Sequence, residues 1–222
     1  MISTLFRIHC YNNHKEKITS KITSFLLIIP FLFVPHLGFA MKFDEGIEYR
    51  VIQKNSKPFS DDNQQVLEFF GYFCPHCKTF SPVLKNWEKS LPKNITFTQL
   101  HVPFRDLNHQ RLFFSLKSIN SESGLHYKIF NSIQAQGNPL NNFLEILAWV
   151  ESQGVDEKEF ETAWNSEKVK SEMANATKLM KDYKIDSVPQ LVINGKYLTS
   201  PAMVGGSHKR VIKVVEYLLE KK

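Results

Sequence analysis

The apolar positions fall into segments with different periods. The first segment, Ile22 to Val34, follows Arg7, Lys15, Lys17 and Lys21 and precedes Pro35-His36-Leu37-Gly38-Phe39-Ala40. A basic region, a short apolar core broken by Pro30, and small residues at Gly38 and Ala40 predict a cleavable secretory signal peptide over 1–40. A membrane anchor is the alternative, but the core is shorter than the roughly 20 residues of a span.

Beyond the leader, residues 44–60 are polar and contain Gly46 and Pro58. They predict a lead-in strand and then a turn at Asp61-Asp62-Asn63. Gln65 to Gly71 is a nearly continuous apolar run, the pattern of a buried central strand. Phe80, Val83, Leu84 and Trp87 then recur at helical spacing from Pro75 to about Leu91, and Pro92 stops the helix. Over 94–102, Ile95, Phe97 and His101 alternate with Thr96, Thr98 and Leu100, which predicts another strand.

From 106 to 183 the strand period vanishes. Helical spacing takes over, with breaks expected at Gly124, Gly137-Asn138-Pro139 and Gly154 and helix starts at Asp156 and Ser166. Strand character returns at Gln190 to Ile193, turns at Asn194-Gly195 and continues to Leu198, a hairpin signature. A last helix begins near Ser207 and carries Val211, Val214, Val215, Leu218 and Leu219 on one stripe. The predicted class is α/β. One domain is built from 41–105 and 184–222 and is split by an all-helical insertion over 106–183.

Composition narrows the function. With 222 residues, 42% hydrophobic and 23% charged, the chain is neither a disordered tail nor a repeat filament. Without 1–40 it holds 24 basic and 21 acidic residues, too even a balance to suggest a nucleic-acid partner. Losing the leader also removes Cys10, leaving Cys74 and Cys77 in an oxidising compartment.

Those two cysteines stand in Cys74-Pro75-His76-Cys77, with Cys74 where the helix begins. Unpaired backbone N–H groups and the positive end of the helix dipole there stabilise a thiolate, as would the His76 imidazole. Pro75 suits the first helical position. Cys77, one turn in, is expected to be more buried and to act as the resolving thiol. A thiolate stabilises only the reduced pair. Each pKa unit below ambient pH therefore makes the couple more oxidising by about 30 mV, or about 1.4 kcal/mol.

The alternatives are a structural disulfide, half of a zinc site, and two unrelated thiols that meet by chance. His101, His109, His126 and His208 lack ligand spacing and read as surface or capping residues, and no metal or other cofactor is expected. Pro189 precedes an apolar run and so belongs at a strand start, and an ordinary trans bond is the commoner case. A cis Val188–Pro189 bond would open the Val188 backbone to an extended substrate.

VLEFFGYFCPHC at 66–77, HVPF at 101–104, AWNS at 163–166 and VPQLVINGKY at 188–197 together resemble the DsbA family of bacterial periplasmic thiol oxidases. The similarity runs through essentially all of 42–222. It implies a thioredoxin fold with a helical insertion, a Cys74 that forms the mixed disulfide and a Cys77 that resolves it. It also implies that Pro75-His76 tune the potential and that Pro189 is cis and faces the disulfide. Glu68 would be a buried acid handling protons beneath the cysteines, whereas its place in an apolar strand alone equally allows a wet edge. Reduced secreted polypeptides would be the substrates. A DsbB-like quinone-linked membrane partner would reoxidise the pair, and with no spare dimerisation segment the protein would be a monomer.

Two positions depart from many relatives. Gln99 stands where they place a lysine and Ser81 where they place a glutamate. Glu68 is therefore expected to lack its usual partner and to have a pKa raised by burial. An isomerase or reductase held reduced, and a peptide-binding chaperone with a structural disulfide, are the rival functions.

Overall fold

A computed structural model describes residues 42–52 and 63–221. The expected signal peptide and the turn at Pro58 and Asp61-Asp62 lie outside the described residues. Among the described residues, five strands, seven α-helices and one 3-10 turn follow in order. They are β1 (Arg50–Val51), β2 (Gln64–Phe70), α1 (Pro75–Glu88), β3 (Ile95–His101), α2 (Leu107–Ser118), α3 (Glu122–Ala135) and α4 (Phe143–Ser152). Then come α5 (Glu157–Asn165), α6 (Glu167–Asp182), β4 (Gln190–Ile193), β5 (Tyr197–Thr199), the 3-10 turn (Pro201–Val204) and α7 (His208–Glu220).

The strands form one mixed sheet in the order β1-β5-β4-β2-β3. β2 runs parallel to β3 across the α1 crossover and antiparallel to β4, which continues into β5. β2 is thus hydrogen-bonded on both edges and covered on both faces, and the second of these is why its sequence is so evenly apolar. Successive side chains alternate faces. Val66, Leu191 and Ile193 join Phe80, Leu84, Val211, Val214 and Leu218 in one core beneath α1 and α7. Leu67, Phe69 and Val192 join the larger core that includes Leu112, Phe130, Ile146 and Phe160 of the helical segment.

Local chemistry sets the element ends. The β4–β5 turn holds Asn194 and Gly195 at φ 50° and 61°, both left-handed, as a two-residue hairpin of matching twist demands. Asp156 accepts a hydrogen bond from the Glu159 N–H at 2.7 Å and Ser166 one from the Val169 N–H at 3.2 Å, each capping its helix as expected. Gly137 and Gly154 interrupt the helices at φ 69° and 84°.

Gly124 does not. It sits in the first turn of α3, and the chain turns instead at Asn120, where φ is 58°. The side-chain amide lets Asn adopt this conformation more readily than most residues. Helix α1 closes at Glu88, short of the expected Leu91. The alternation expected of β3 also fails at its end, where Leu100 and His101 are both buried, because packing covers both sheet faces there. All of α2–α6 lie between β3 and β4. No described helix is long and apolar enough to cross a membrane.

Candidate active site

The site lies where β2 runs out. Just past Phe70 the chain turns, and the Cys74 N–H donates to the Gly71 carbonyl at 3.0 Å. A Cβ on Gly71 would press on Cε1 and Cζ of the Phe73 ring, so a larger residue here would have to push that ring aside. The turn leaves Cys74 as the extended N-cap of α1 (φ −92°, ψ 116°), with Pro75 as the first helical residue and no acid in the first turn. Pro75 and His76 are exposed. Cys74 keeps 7% of its surface exposed and Cys77 1%, so only Cys74 can be reached by a partner thiol.

Both are free thiols in this structure. The pKa of Cys74 is pulled down to about 6. Its largest cause is the hydrogen bond from the Cys77 thiol. Burial opposes it, and the N–H groups of Cys77 and His76 reinforce it. The His76 imidazole contributes least. Burial drives Cys77 strongly upward, and so does the proton it shares with Cys74. One helix turn thus divides the pair into an anionic thiol and a neutral one. The Val188–Pro189 bond is cis, and Cys74 Sγ lies 3.2 Å from the Val188 carbonyl oxygen, to which it donates only while it keeps its proton. Two segments distant in sequence therefore meet at the reactive sulfur.

Glu68 lies beneath this pair, in register with Gln99 on β3 and Leu191 on β4. At 1% exposure it is no edge residue, which removes the wet-edge alternative. Its pKa is raised to about 7 by burial and by the Cys74 charge, against the Gln99 amide, whose Nε2 donates to Glu68 Oε2 at 2.7 Å. The charged partner that Glu68 was expected to lack is replaced by a neutral donor.

Comparisons with known proteins agree with this geometry. A family profile described as a DSBA-like thioredoxin domain matches residues 108–213, and one described as thioredoxin matches 50–110. A thiol:disulfide interchange protein DsbA of Burkholderia cepacia is 37% identical over 173 residues, covering 76% of this chain and 81% of the relative. The chain belongs to the DsbA family of thiol:disulfide oxidoreductases. The crystal structure of Pseudomonas aeruginosa DsbA superposes with a TM-score of 0.74 at 31% identity, covering 81% of this chain and 94% of that one. The thioredoxin fold carrying extra helices is shared with it.

Around this DsbA-family dithiol stand residues that the sequence did not single out. His101, His109 and His126 are buried, not surface or capping groups. A neutral imidazole offers one donor, one acceptor and an aromatic face, so it can belong to a core. The Tyr72 N–H donates to His101 Nε2 at 3.1 Å, and His101 Nδ1 lies 2.8 Å from the Val102 carbonyl. His126 packs edge-to-face on Phe70 and Phe130. Burial drives His101 well down and takes His126 to about 4, so both stay neutral at ordinary pH. His208, at the start of α7, stacks on Phe80.

Gln134, from α3, donates through Nε2 to the carbonyls of Tyr72 at 2.7 Å and Cys74 at 3.1 Å. It ties the loop bearing Cys74 to the helical segment. Nothing in its local sequence marks it. Arg105, left-handed at φ 65°, lies over the Phe73 ring at the site's rim. Among the described residues, no cluster of three metal-ligating side chains occurs.

Proposed function

We propose that this protein donates the Cys74–Cys77 disulfide to reduced, newly exported polypeptides. A substrate thiolate attacks Cys74 Sγ, the S–S bond breaks, and its electron pair goes to Cys77 Sγ. Cys77, held strongly basic by burial, takes a proton, for which the Glu68 carboxyl beneath is the source. A second substrate thiolate then attacks the substrate sulfur of the mixed disulfide and expels Cys74 as a thiolate. The substrate has lost two electrons and the protein has gained them.

The observation that carries this reading is the helix-start position of Cys74, whose pKa is pulled to about 6 by groups that act on the thiolate alone. Val188 and cis Pro189 would pair with the substrate backbone beside the sulfur, and Pro75 and His76 would tune the potential. The likeness to DsbA supports a periplasmic setting after removal of 1–40, and reoxidation by a DsbB-like quinone-linked membrane protein. Monomeric action without cofactor or nucleic acid belongs to the same reading, as does the division into 41–105, 106–183 and 184–222.

The test is the equilibrium potential of the couple against glutathione, together with transfer to a reduced peptide. Cys74→Ser should abolish transfer, and Cys77→Ser, which removes the thiol that can attack Cys74 Sγ and release a bound substrate, should accumulate mixed disulfides. A potential below about −300 mV, the range of structural disulfides, would overturn the donor role.

A further inference from the structure

A thread of polar side chains runs from Glu68 away from the cysteines, and the exchange steps leave most of it unused. Gln99 Nε2, which donates to Glu68 Oε2 at 2.7 Å, also lies 3.4 Å from His126 Nε2. The other ring nitrogen of His126, Nδ1, lies 3.2 Å from the Tyr72 hydroxyl. A cavity of about 60 Å³ reaches Gln99 and His126 and is lined also by Ser81, Lys85, Glu88, Phe97 and Ser123. Lys85 and Glu88 are exposed. The space exceeds what a water molecule needs, and polar side chains stand in its wall beside the Phe97 ring.

The thread admits two directions. With Glu68 ionised, the Gln99 amide points its NH2 at both neighbours. His126 Nε2 must then be bare, and the ring proton sits on Nδ1, facing Tyr72. With Glu68 protonated, its new O–H needs an acceptor. A half-turn of the amide offers Oε1 instead, and that oxygen then wants a proton on His126 Nε2. His126 Nδ1 becomes bare and accepts from the Tyr72 hydroxyl. The heavy atoms keep their places, since the amide O and NH2 have nearly the same shape.

We propose that Gln99 and His126 are positioning residues for the proton step: the Gln99 amide turns over as Glu68 gains or loses its proton, and His126 answers by changing tautomer. Both states of Glu68 are then held by satisfied hydrogen bonds, and water in the cavity returns the proton that Glu68 gives up. A fixed cation at position 99 could only donate and would hold Glu68 as a carboxylate. The amide serves either state. The inference rests on Glu68 acting as the acid for Cys77.

The charged and titratable groups facing this thread are Cys74, Cys77, Lys85 and Glu88 from α1, Glu122 from α3 and His101 from β3. His126 stays neutral where Glu68 titrates, so its response is a change of tautomer and not of charge. His101 accepts from the Tyr72 N–H and gives its own proton to the Val102 carbonyl, which fixes its tautomer and makes it an internal reference.

The experiment follows the ring nitrogens of the ¹⁵N-histidine-labelled dithiol protein by NMR across the titration of Glu68, which is read from its carboxyl infrared band. His126 should carry its proton on Nε2 below the Glu68 midpoint and on Nδ1 above it, with His101 unchanged. Glu68→Gln should abolish the transition. Gln99→Leu should leave Glu68 titrating with His126 no longer following it. One tautomer of His126 throughout the wild-type titration overturns the inference, as does a transition that survives in Gln99→Leu. The potential against glutathione is read separately. A fixed tautomer with an oxidising potential overturns this inference alone, whereas a potential below about −300 mV overturns the donor role.

Discussion

The charge on Cys74 dictates how the couple's potential varies with pH, and the structure gives both slopes. Reducing the disulfide takes two electrons, and it takes two protons whenever both product thiols stay protonated. A tenfold change in equilibrium constant is about 30 mV for two electrons, so a two-proton reduction falls by about 60 mV per pH unit and a one-proton reduction by about 30 mV. Cys74 ionises at about 6, while Cys77 remains protonated far above that. The slope should therefore halve near pH 6. Against a pair whose first thiol kept the ordinary value of 9.0, the thiolate makes this couple more oxidising. The gain is about 30 mV at pH 7 and about 60 mV at pH 8, or about 1.4 and 2.8 kcal/mol. The assay equilibrates the protein with glutathione at a series of pH values and counts trapped thiols, with ultraviolet thiolate absorbance as an independent titration. Glu68→Gln serves as the control, because Glu68 titrates at about 7 and senses the Cys74 charge, which would add curvature of its own. A steady fall of about 60 mV per unit through pH 8 would refute the reasoning, since Cys74 would then be an ordinary thiol.

Two further outcomes follow from groups around the dithiol. The folded pKa of Glu68 is raised from 4.5 to about 7, so its ionisation adds no penalty well below pH 4.5 and its full penalty above pH 7. Glu68→Leu should therefore stabilise the protein by up to about 3 kcal/mol at pH 8 and by much less at pH 5 in urea unfolding; equal gains at both pH values would contradict the assignment. Gln134→Ala removes the donor to the Tyr72 and Cys74 carbonyls and should cost about 1–3 kcal/mol in the same assay, a loss absent if water takes over both carbonyls.

What could be read from the sequence was what short stretches encode. The hairpin at Asn194-Gly195 needs two left-handed residues in a row, and few dipeptides supply them cheaply. The caps at Asp156 and Ser166 act within three residues. The position of Cys74 follows from a glycine turn, a proline and the apolar stripe after it. Glu68 stood out because an acid in a continuous apolar run must be explained. Contacts across the helical segment were illegible for the opposite reason. Gln134 meets Cys74 across 60 positions and His126 meets Tyr72 across 54, and nothing near either residue encodes its distant partner. The histidines were misplaced because spacing tests for ligands, whereas burial turns on which aromatic rings gather around them.

The reactive loop depends on the short span between the two cysteines. A helix start alone would expose Cys74 to water, where the N–H groups of His76 and Cys77 would compete with solvent for the thiolate. Here Cys77 gives the largest stabilisation, and it can do so only while it keeps its own proton. In the proposed exchange, resolving thiol and stabilising donor are thus one group, and the disulfide forfeits both roles at once. Reduction therefore requires a proton to reach a sulfur that is 1% exposed and sealed from above by Cys74. Glu68, raised to about 7, is a buried group poised to supply it near neutral pH, and its raised pKa is what makes it available. The stability given up by burying that acid is the stability that Glu68→Leu should recover.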